Sequence, residues 1–545
     1  MSARRKKIAF FSPHAGIWPH ALPESHLAKC LDTASFDTCR ISCKGTFNEH
    51  CIVMDSVNLG IWESREKKEA ICSQCRGNAK ILRNSYPGND YKISDFLSAA
   101  ETTEAKAMAD KIDQGNILEL VFLGVEVGKI SLYEPLLKYK KTSVSFSESE
   151  FVYVKTFLTN CLLSLMAFKH IYEEAKPDIL ITYSPQYGVN GVCARYCELK
   201  GAKVYFIESS ANFGERYQAL RIWDWTIFGL TNPALKYWHK VDEYGISKSE
   251  YDRAQSHSNT LLSAKSFSVY SEPVTNKFNL RDHFGVPAGS KVVLAAMSSY
   301  DEVFSAYVIG RFPRSKYYSD VFENQLDWIK HSIGFFASRP DLFLIIRIHP
   351  RTFPNKREGV MANEQKLLAE LFLNLPANVK VNYPADKISI YDLYKEIDAL
   401  LTGWSATGVE AMTYGVPVVT YDKNLPSYPA SIHYTGETKD QYFQNIVTAA
   451  TKGKQESIKE NAYKWMAFSM SIGVMRHPAM LTDEGFVMNH RLPKLLYRAF
   501  RKLTPDLVKW VEAHRAFNPK QEARRINQLL ISGGPSLFDV PLKSL

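Results

Sequence analysis

Short apolar runs, each about as long as a buried strand, recur along the chain and alternate with stretches of helical periodicity. The runs cover residues 8–11, 178–182, 201–207, 291–296, 342–348, 379–381, 399–401 and 416–420. Helical patterns cover residues 154–175, 188–199 and 407–414, and another begins near Ser389. This alternation of strand, loop, helix and strand is typical of parallel sheets built from βαβ units.

The strand runs fall into two series, separated by a polar and helical stretch at residues 230–285. A chain of 545 residues is long enough for two or three domains with cores of their own. The pattern predicts two doubly wound α/β domains facing a cleft. We expect the first at residues 1–270, the second at 271–475 and a helical segment at 476–545. In such sheets ligands bind beyond the carboxyl ends of the strands.

Composition places the chain among ordinary globular proteins, with 45% hydrophobic and 23% charged residues. A basic start precedes the first apolar run, but Ser12 and Pro13 end that run too early for a signal peptide. No run of about 18 apolar residues predicts a membrane span. The most apolar stretch, residues 157–168, is interpreted as a buried helix. We therefore expect a cytoplasmic protein.

The formal net charge of +10 is concentrated near one end, since residues 491–525 hold ten Lys or Arg and three Asp or Glu. Leucines alternate there with basic residues, as in an amphipathic helix that lies on anionic lipid. The pattern also fits a solvated helix packed on its own domain. The first alternative predicts a peripheral protein of the inner membrane. Basic residues gathered in one segment do not indicate a nucleic-acid partner.

The most specific motif is Thr-Gly-Trp-Ser-Ala-Thr-Gly-Val-Glu-Ala-Met at residues 402–412. Ser405 and Thr407 offer hydroxyl groups, Gly408 permits close backbone approach, and a helix is predicted to begin beside them. Helix N-terminal amides and hydroxyls together form an anion site. Glu410 lies in the first helical turn, where it can accept from ribose hydroxyls or cap the helix.

A second motif, Arg347-Ile-His349-Pro350-Arg351, ends the predicted strand at 342–348. A histidine between two arginines at a strand end suits a phosphate group, whereas a lone histidine is more often structural. Ser298 and Ser299 follow the strand at 291–296 and are further nucleotide-binding candidates.

Together these motifs resemble those of GT-B glycosyltransferases that build bacterial capsules and lipopolysaccharide. The resemblance covers roughly residues 290–450 and is to the capsule polysaccharide biosynthesis family, which includes Kdo transferases, and more distantly to sialyl- and polysialyltransferases. It implies that His349, Ser405 and Thr407 hold the nucleotide of a CMP-sugar, with Glu410 near the ribose. It does not fix the nucleotide, because transferases that use CDP-glycerol or UDP-sugars look similar.

Motifs of other nucleotide-binding classes are missing from the sequence. There is no Asp-x-Asp metal clamp, no Gly-x-Gly-x-x-Gly loop and no Walker A sequence. We therefore expect a metal-independent, inverting transfer with no cofactor for catalysis. Cations, hydroxyls and helix dipoles would stabilise the leaving phosphate.

An inverting transfer also needs a base that deprotonates the acceptor hydroxyl. Candidates must follow strands of the first domain, which we expect to hold the acceptor. Glu208 directly follows the run at 201–207, and His14 follows the run at 8–11. Glu208 is the first choice as base and His14 the second. Glu208 has an alternative role as an ion-pair partner of Arg216.

Four cysteines cluster early in the chain, at Cys43, Cys51, Cys72 and Cys75, with His50 as a spare ligand. A Cys-x-x-Cys pair with two upstream cysteines is compatible with a structural zinc ion in an insertion of the acceptor domain. An iron–sulfur cluster and separate buried thiols are the alternatives.

The sequence thus predicts a glycosyltransferase that moves sugar from a nucleotide donor to a glycan or lipid-linked acceptor in capsule or O-antigen synthesis. Two other functions stay open. A nucleotide-sugar 2-epimerase or hydrolase would use the same fold without an acceptor. A non-catalytic assembly or export protein would need no intact nucleotide site.

Overall fold

The computed structural model describes residues 4–213, 215–216, 218–224, 232–264, 270–275, 277–355, 359–478, 503–514 and 520–540. The strands are β1 (Lys6–Phe11), β2 (Phe36–Ser42), β3 (Asn89–Lys92), β4 (Ile179–Tyr183), β5 (Lys203–Ser209), β6 (Ala219–Asp224), β7 (Lys291–Ala296), β8 (Leu342–Arg347), β9 (Val379–Asn382), β10 (Ala399–Thr402), β11 (Val418–Thr420), β12 (Tyr434–Thr435) and β13 (Val474–Arg476).

The helices of the first half are α1 (Trp18–Lys29), α2 (Ile52–Ser56), α3 (Arg65–Leu82), α4 (Ala99–Asp110), α5 (Val127–Ile130), α6 (Tyr133–Lys138), α7 (Glu148–Ala175), α8 (Gly188–Leu199), α9 (Val241–Tyr244) and α10 (Lys248–Leu262). Those of the second half are α11 (Leu280–Phe284), α12 (Tyr300–Val308), α13 (Gln325–Ala337), α14 (Glu364–Leu371), α15 (Ile390–Tyr394), α16 (Thr407–Met412), α17 (Lys439–Lys452), α18 (Glu456–Ser471), α19 (Pro505–His514) and α20 (Lys520–Ser532).

The N-terminal sheet has seven strands in the order β13-β6-β5-β4-β1-β2-β3. Strands β1 to β5 are parallel, whereas β6 runs antiparallel to β5 and β13 antiparallel to β6. The strand order reverses between β1 and β4, which is where a doubly wound sheet opens a crevice. The apolar runs at 8–11, 178–182 and 201–207 all lie in this sheet, as predicted.

The C-terminal sheet has six parallel strands in the order β12-β11-β10-β7-β8-β9. Counted within this domain, that is the 3-2-1-4-5-6 order of a Rossmann fold, with its switch point between β7 and β10. The protein therefore has the predicted α/β class, with two doubly wound, Rossmann-like domains.

Helix α7 contains the apolar stretch at 157–168. It is the one helix of the described residues that is long and apolar enough to cross a membrane, and 78% of its most apolar window is buried inside the protein. Its side chains pack in one cluster with those of β4, β5 and α8. The prediction of a buried helix is confirmed by this packing.

The chain changes domain earlier than predicted. Ala234, Tyr237, Val241 and Leu261 pack in the same core as strands β7, β8 and β10. Residues 232–262 therefore belong with the C-terminal domain, and the predicted boundary at 270 falls too late. This stretch is mostly polar, so its few buried side chains gave no clear sequence signal that it belongs to a domain core.

The end of the chain returns to the N-terminal domain. β13 extends the N-terminal sheet, and Ala513, Ile526 and Leu529 are buried in the same cluster as β1 and β4. Helices α19 and α20 thus pack on the N-terminal domain, as one of the two sequence interpretations expected. Residues 491–502 and 515–519, which carry much of the basic segment, lie outside the described residues.

The two domains also touch directly, because α6 and the start of α7 pack against α12 in one apolar cluster. Polar contacts flank it: the Nζ of Lys140 donates to the carbonyl oxygens of Phe353 and Val360 at 3.0 and 2.5 Å. These contacts hold the carboxyl ends of the two sheets toward each other.

Candidate active site

A cavity of about 190 Å³ lies at the switch point of the C-terminal sheet. We call it the switch-point cavity. It is lined by Phe213, Leu261, Tyr270, Ser271, Ala296, Met297, Arg347, Ile348, His349, Pro350, Ile390, Tyr391, Ser405, Ala406, Thr407 and Glu410. Both sequence motifs therefore meet in one place, although about 50 residues separate them along the chain.

His349 follows β8, where Pro350 begins a short 3₁₀ turn. The Nδ1 of His349 accepts a hydrogen bond from the backbone N–H of Arg351 at 3.2 Å. A neutral imidazole that accepts at Nδ1 carries its proton on Nε2, so this nitrogen is a donor. The ring of Tyr270 packs edge-on against the imidazole, with 5.4 Å between centroids. The side chain is thus oriented before any ligand binds.

Arg347 ends β8 with a guanidinium that is held on two sides. It donates to Oδ1 of Asn382, and at 3.0 Å to the carbonyl oxygen of Ile388. Burial lowers the pKa of Arg347 to about 10, so the group stays charged at neutral pH. A guanidinium has five N–H donors, so these two hydrogen bonds fix its plane and leave other N–H groups able to donate. The cavity therefore has a fixed cation in its wall.

The loop after β10 contributes two hydroxyl groups. The Oγ of Ser405 accepts from the backbone N–H of Thr407 at 3.2 Å. The Oγ1 of Thr407 is buried and has no hydrogen-bond partner among the described residues. A buried hydroxyl without a partner is costly, and such groups are common where a ligand completes the hydrogen bond. Helix α16 is shorter than predicted, ending at Met412 rather than 414, so its dipole is small.

Glu410 is the acid of the cavity. The hydroxyl of Tyr391 donates to Oε2 of Glu410 at 3.0 Å. Burial raises the pKa of Glu410 to about 7, against the lowering effect of that hydrogen bond. Its charge therefore changes near neutral pH, in a position that faces the same space as His349.

Three predicted residues are placed differently from the expectation. Arg351 does not line the cavity: its Nε donates to Asp301 at 2.8 Å and its NH2 to the carbonyl oxygen of Leu137 at 2.8 Å. It therefore joins the two domains. Ser298 is buried, with its backbone N–H bonded to Gln325 at 2.7 Å, and Ser299 bonds to Glu302 at the start of α12. Neither serine lines the cavity.

The glycine at position 408 is explained by packing behind the loop. A Cβ at this position would lie 1.9 Å from the hydroxyl oxygen of Tyr428. The missing side chain thus makes room for a buried tyrosine behind the loop. Gly408 is not among the cavity-lining residues, contrary to the expectation of close backbone approach to a phosphate.

The N-terminal domain reaches this cavity through the hairpin that joins β5 and β6. Phe213 lines the cavity, and its backbone N–H donates to Nδ1 of His257 at 2.9 Å. Glu208 lies near the end of β5, at the base of the same hairpin. Burial raises the pKa of Glu208, while the charges of Arg311, Arg221 and Arg216 oppose that rise. Arg311 comes from the C-terminal domain, so Glu208 faces across the cleft.

His14 lies at the switch point of the N-terminal sheet, together with His20, Tyr183 and Tyr187. The ring of His20 stacks on Tyr183 at 4.0 Å, and His14 meets Tyr187 edge-on at 5.9 Å. Burial lowers the pKa of both histidines to about 3, so both imidazoles are neutral. His14 does not line the switch-point cavity, whereas the hairpin that follows Glu208 does.

The four predicted metal ligands, Cys43, Cys51, Cys72 and Cys75, line a second cavity of about 300 Å³ in the N-terminal domain, which we call the thiol cavity. Within the described ranges, no three His, Cys, Asp or Glu side chains are arranged to hold a metal ion. Burial raises the pKa of all four thiols.

The spare ligand, His50, lies 3.2 Å from the carboxylate of Asp55 instead. As the structure arranges them, these described side chains do not form a metal site, and a structural zinc ion at the four cysteines stays a prediction. In the structure the cysteines come together as separate thiols.

Several lining residues were missed by sequence reasoning. Tyr391 begins α15, and Tyr270 and Phe213 lie in stretches with no motif. Arg311 follows α12. The one available signal was the helix predicted from Ser389, whose first turn faces the switch point. The others depend on contacts between distant segments.

No family model and no curated protein matches this sequence. Among solved structures, it is similar to KpsC of Thermosulfurimonas dismutans, a beta Kdo 2,7 transferase, with 14% identity over 62% of this chain and 88% of that chain and a TM-score of 0.32.

It is also similar to the UDP-GlcNAc 2-epimerase of Neisseria meningitidis bound to UDP-GlcNAc, with 12% identity over 86% of this chain and 97% of that chain and a TM-score of 0.25. The glycotransferase of kitacinnamycin has 12% identity over 86% of this chain and 95% of that chain, with a TM-score of 0.25. These values identify neither a reaction nor a substrate.

Proposed function

We propose that this protein is a glycosyltransferase that moves a sugar from a nucleotide donor, with a CMP-sugar favoured, to a glycan or lipid-linked acceptor in surface polysaccharide synthesis. The observation that carries the proposal is the convergence of Arg347, His349, Ser405, Thr407 and Glu410 on one cavity at a Rossmann switch point. Cation, imidazole N–H and hydroxyl groups suit a phosphate, and a carboxylate suits a ribose diol.

In the transfer, the bond between the anomeric carbon and the leaving phosphate breaks as the acceptor oxygen bonds to that carbon. The imidazole N–H of His349 and the guanidinium of Arg347 stabilise the charge that develops on the phosphate. Glu208 takes the proton of the acceptor hydroxyl. A buried carboxylate with a raised pKa is a stronger base than an exposed one, whereas an imidazole with a pKa near 3 is a weak one. Glu208 is therefore preferred to His14.

The proposal includes a metal-independent, inverting reaction, in which the N–H donors of the cavity hold the phosphate and Glu208, near the end of β5, acts as the single base. It places the enzyme in the cytoplasm, at the inner membrane when the acceptor is lipid-linked. A 2-epimerase would use the same nucleotide site and would turn over the donor without an acceptor.

The test is calorimetric titration of CMP, CDP and UDP into wild type and His349→Ala. We expect micromolar binding of one nucleotide, weakened about 10- to 100-fold by the loss of a charge-assisted hydrogen bond. His331→Ala is the matched control, because His331 is a half-exposed histidine on α13 outside the cavity.

If none of the three nucleotides binds wild type, the nucleotide role of this cavity is wrong, and a non-catalytic assembly protein becomes the better reading. If one binds and the matching nucleotide-sugar is consumed without any acceptor, the epimerase or hydrolase function replaces the transferase.

A further inference from the structure

The thiol cavity has an apolar interior at the carboxyl ends of β1 and β2. Phe47, Val53 and Ile71 line it together with the four cysteines, and burial raises the pKa of all four thiols. Its volume of about 300 Å³ is at the lower end of the range for small-molecule sites. An interior of this kind accepts an apolar group and offers few partners for a sugar ring.

The rim of the same cavity is strongly basic. Five cationic side chains and one carboxylate line it: Lys44, Arg76, Lys80, Arg83, Lys92 and Asp90. Arg83 and Lys92 share Asp90 as their ion-pair partner, Lys44 pairs with Asp95 at 2.8 Å, and Arg76 pairs with Glu69. The five cations of the rim thus face three carboxylates. Lys80 is exposed and has no side-chain partner among the described residues. The rim therefore keeps an excess of positive charge.

A buried cation lies beneath this rim. Arg40 on β2 is fully buried, and its NH1 donates to the carbonyl oxygen of Ala79, a cavity-lining residue, at 2.8 Å. Its Nε and NH2 have no hydrogen-bond partner, and no ion pair of Arg40 occurs within the described part of the chain. Its guanidinium carbon lies 5.0 Å from the centroid of the Tyr86 ring, and its charge opposes the rise that burial causes in the pKa of Glu24. A buried guanidinium outside any ion pair of the described residues makes the potential near the cavity more positive.

We propose that the thiol cavity binds an organic phosphate, with its apolar body among the thiols and its phosphate on the basic rim. Building on the proposed function, this molecule is the acceptor. His14 lines both the thiol cavity and the small crevice that holds His20, Tyr183 and Tyr187. A molecule bound in the thiol cavity thus extends to the switch point of the acceptor domain.

The first test is titration of the full chain with octyl phosphate, inorganic phosphate and 1-octanol. Octyl phosphate combines both parts of the proposed ligand, whereas the other two probes carry one part each. We expect octyl phosphate to bind at least ten-fold more tightly than either. Equal affinity for inorganic phosphate, or no binding of octyl phosphate, would overturn the proposal.

The site is tested with a pair of charge-reversed variants. Arg76→Glu with Lys80→Glu changes two exposed cations of the rim, and we expect at least a ten-fold loss of octyl phosphate affinity. The control is Lys106→Glu with Lys111→Glu, the same charge change at two exposed residues outside the cavity, one in α4 and one directly after it. A similar loss in both variants would show attraction by net charge alone and contradict the proposal.

A third measurement needs no variant. Cys75 lines the cavity, whereas Cys39, which is also partly buried, does not. Octyl phosphate should slow the alkylation of Cys75 by iodoacetamide about five-fold or more and leave the alkylation rate of Cys39 unchanged. Peptide mass spectrometry measures both rates. Unchanged alkylation of Cys75 at saturating octyl phosphate would place the ligand elsewhere.

Vesicles distinguish the two sources of such a phosphate. Flotation with phosphatidylcholine vesicles that contain phosphatidic acid, lost in the Arg76→Glu and Lys80→Glu variant, identifies a membrane lipid. Octyl phosphate binding without flotation identifies a soluble intermediate. Nucleotide titration of the same samples separates the two proposals: retained nucleotide binding with no octyl phosphate binding overturns only this one.

Discussion

The two domains share a strand order at their centres but differ in what they place at the switch point. In the C-terminal domain, the loops after β8 and β10 bring together Arg347, His349 and Thr407. In the N-terminal domain, the loops after β1 and β4 bring together two neutral imidazoles and two tyrosines. One topology thus provides two crevices with different side chains, and under the proposed function the C-terminal crevice holds the anion and the N-terminal crevice the acceptor.

The largest effect is expected from a substitution in the N-terminal domain, which we propose to bind the acceptor. In Glu208→Gln, the base is lost while the donor cavity is intact, so kcat should fall by about 10²- to 10⁴-fold with little change in nucleotide affinity. The rate is measured as the release of nucleotide from the donor in the presence of acceptor.

Glu215→Gln is the control, since Glu215 lies on the same hairpin and pairs with Arg476 at 2.5 Å. A normal kcat in Glu208→Gln together with a large loss in His14→Gln would move the base to His14.

The next effect concerns the fixed cation on the donor side. Lysine keeps the charge of Arg347 but cannot bond to both Asn382 and Ile388 while facing a phosphate. Arg347→Lys should therefore weaken nucleotide binding about 10-fold or more, measured by calorimetry. Unchanged affinity would mean that charge alone suffices and that the fork geometry is irrelevant.

A smaller effect separates ligand binding from folding. Thr407→Val removes a buried hydroxyl to which no described residue bonds, so Tm should stay the same or rise, while nucleotide affinity falls about five-fold. Thr402→Val is a matched control, because its Oγ1 is also buried without a partner but lies outside the cavity lining. Equal loss of affinity in both variants would argue against a role for the Thr407 hydroxyl.

The smallest effect is a pH dependence. The pKa of Glu410 is raised to about 7 in the folded protein from 4.5, so its ionisation costs stability as pH rises between these values, and the full cost is present above 7. Glu410→Gln should therefore raise Tm more at pH 8 than at pH 5.5. If the ionised carboxylate accepts from ribose, wild-type affinity should exceed that of the variant about three-fold at pH 8.

Because the phosphate of CMP also ionises in this range, the Gln variant is the reference at each pH. Parallel affinity curves for the two proteins would exclude a ribose contact for Glu410.

Local patterns predicted the central strands well, because β7 and β8 are continuous apolar runs buried on both faces. Strand β3, Asn-Asp-Tyr-Lys, was missed because it is a polar edge strand, and β13 because its three residues pair with β6 across a whole domain. Such pairing leaves no local signal.

In the candidate site too, features with a local sequence signal were predicted and features that depend on distant contacts were not. His349 and Ser405 were found because motifs at strand ends converge in any doubly wound sheet. The placements of Arg351 and Gly408 depend on Asp301 and Tyr428, which no spacing reveals. The cysteines were correctly grouped by spacing, but spacing could not show that they line a cavity.

The return of the chain to the N-terminal sheet has a consequence for biosynthesis. Strand β13 and the apolar side chains of α20 complete the core around β1 and β6, yet a ribosome makes them after the whole C-terminal domain. Until they are made, the N-terminal sheet of the nascent chain lacks the strand that pairs with β6, and its core is incomplete. The six strands of the C-terminal sheet are contiguous in sequence and are all made earlier, although Phe538 of the same late segment also packs in that domain's core. We infer that the domain made first is the last to finish folding, and that a chaperone would find its binding site on the exposed edge of β6.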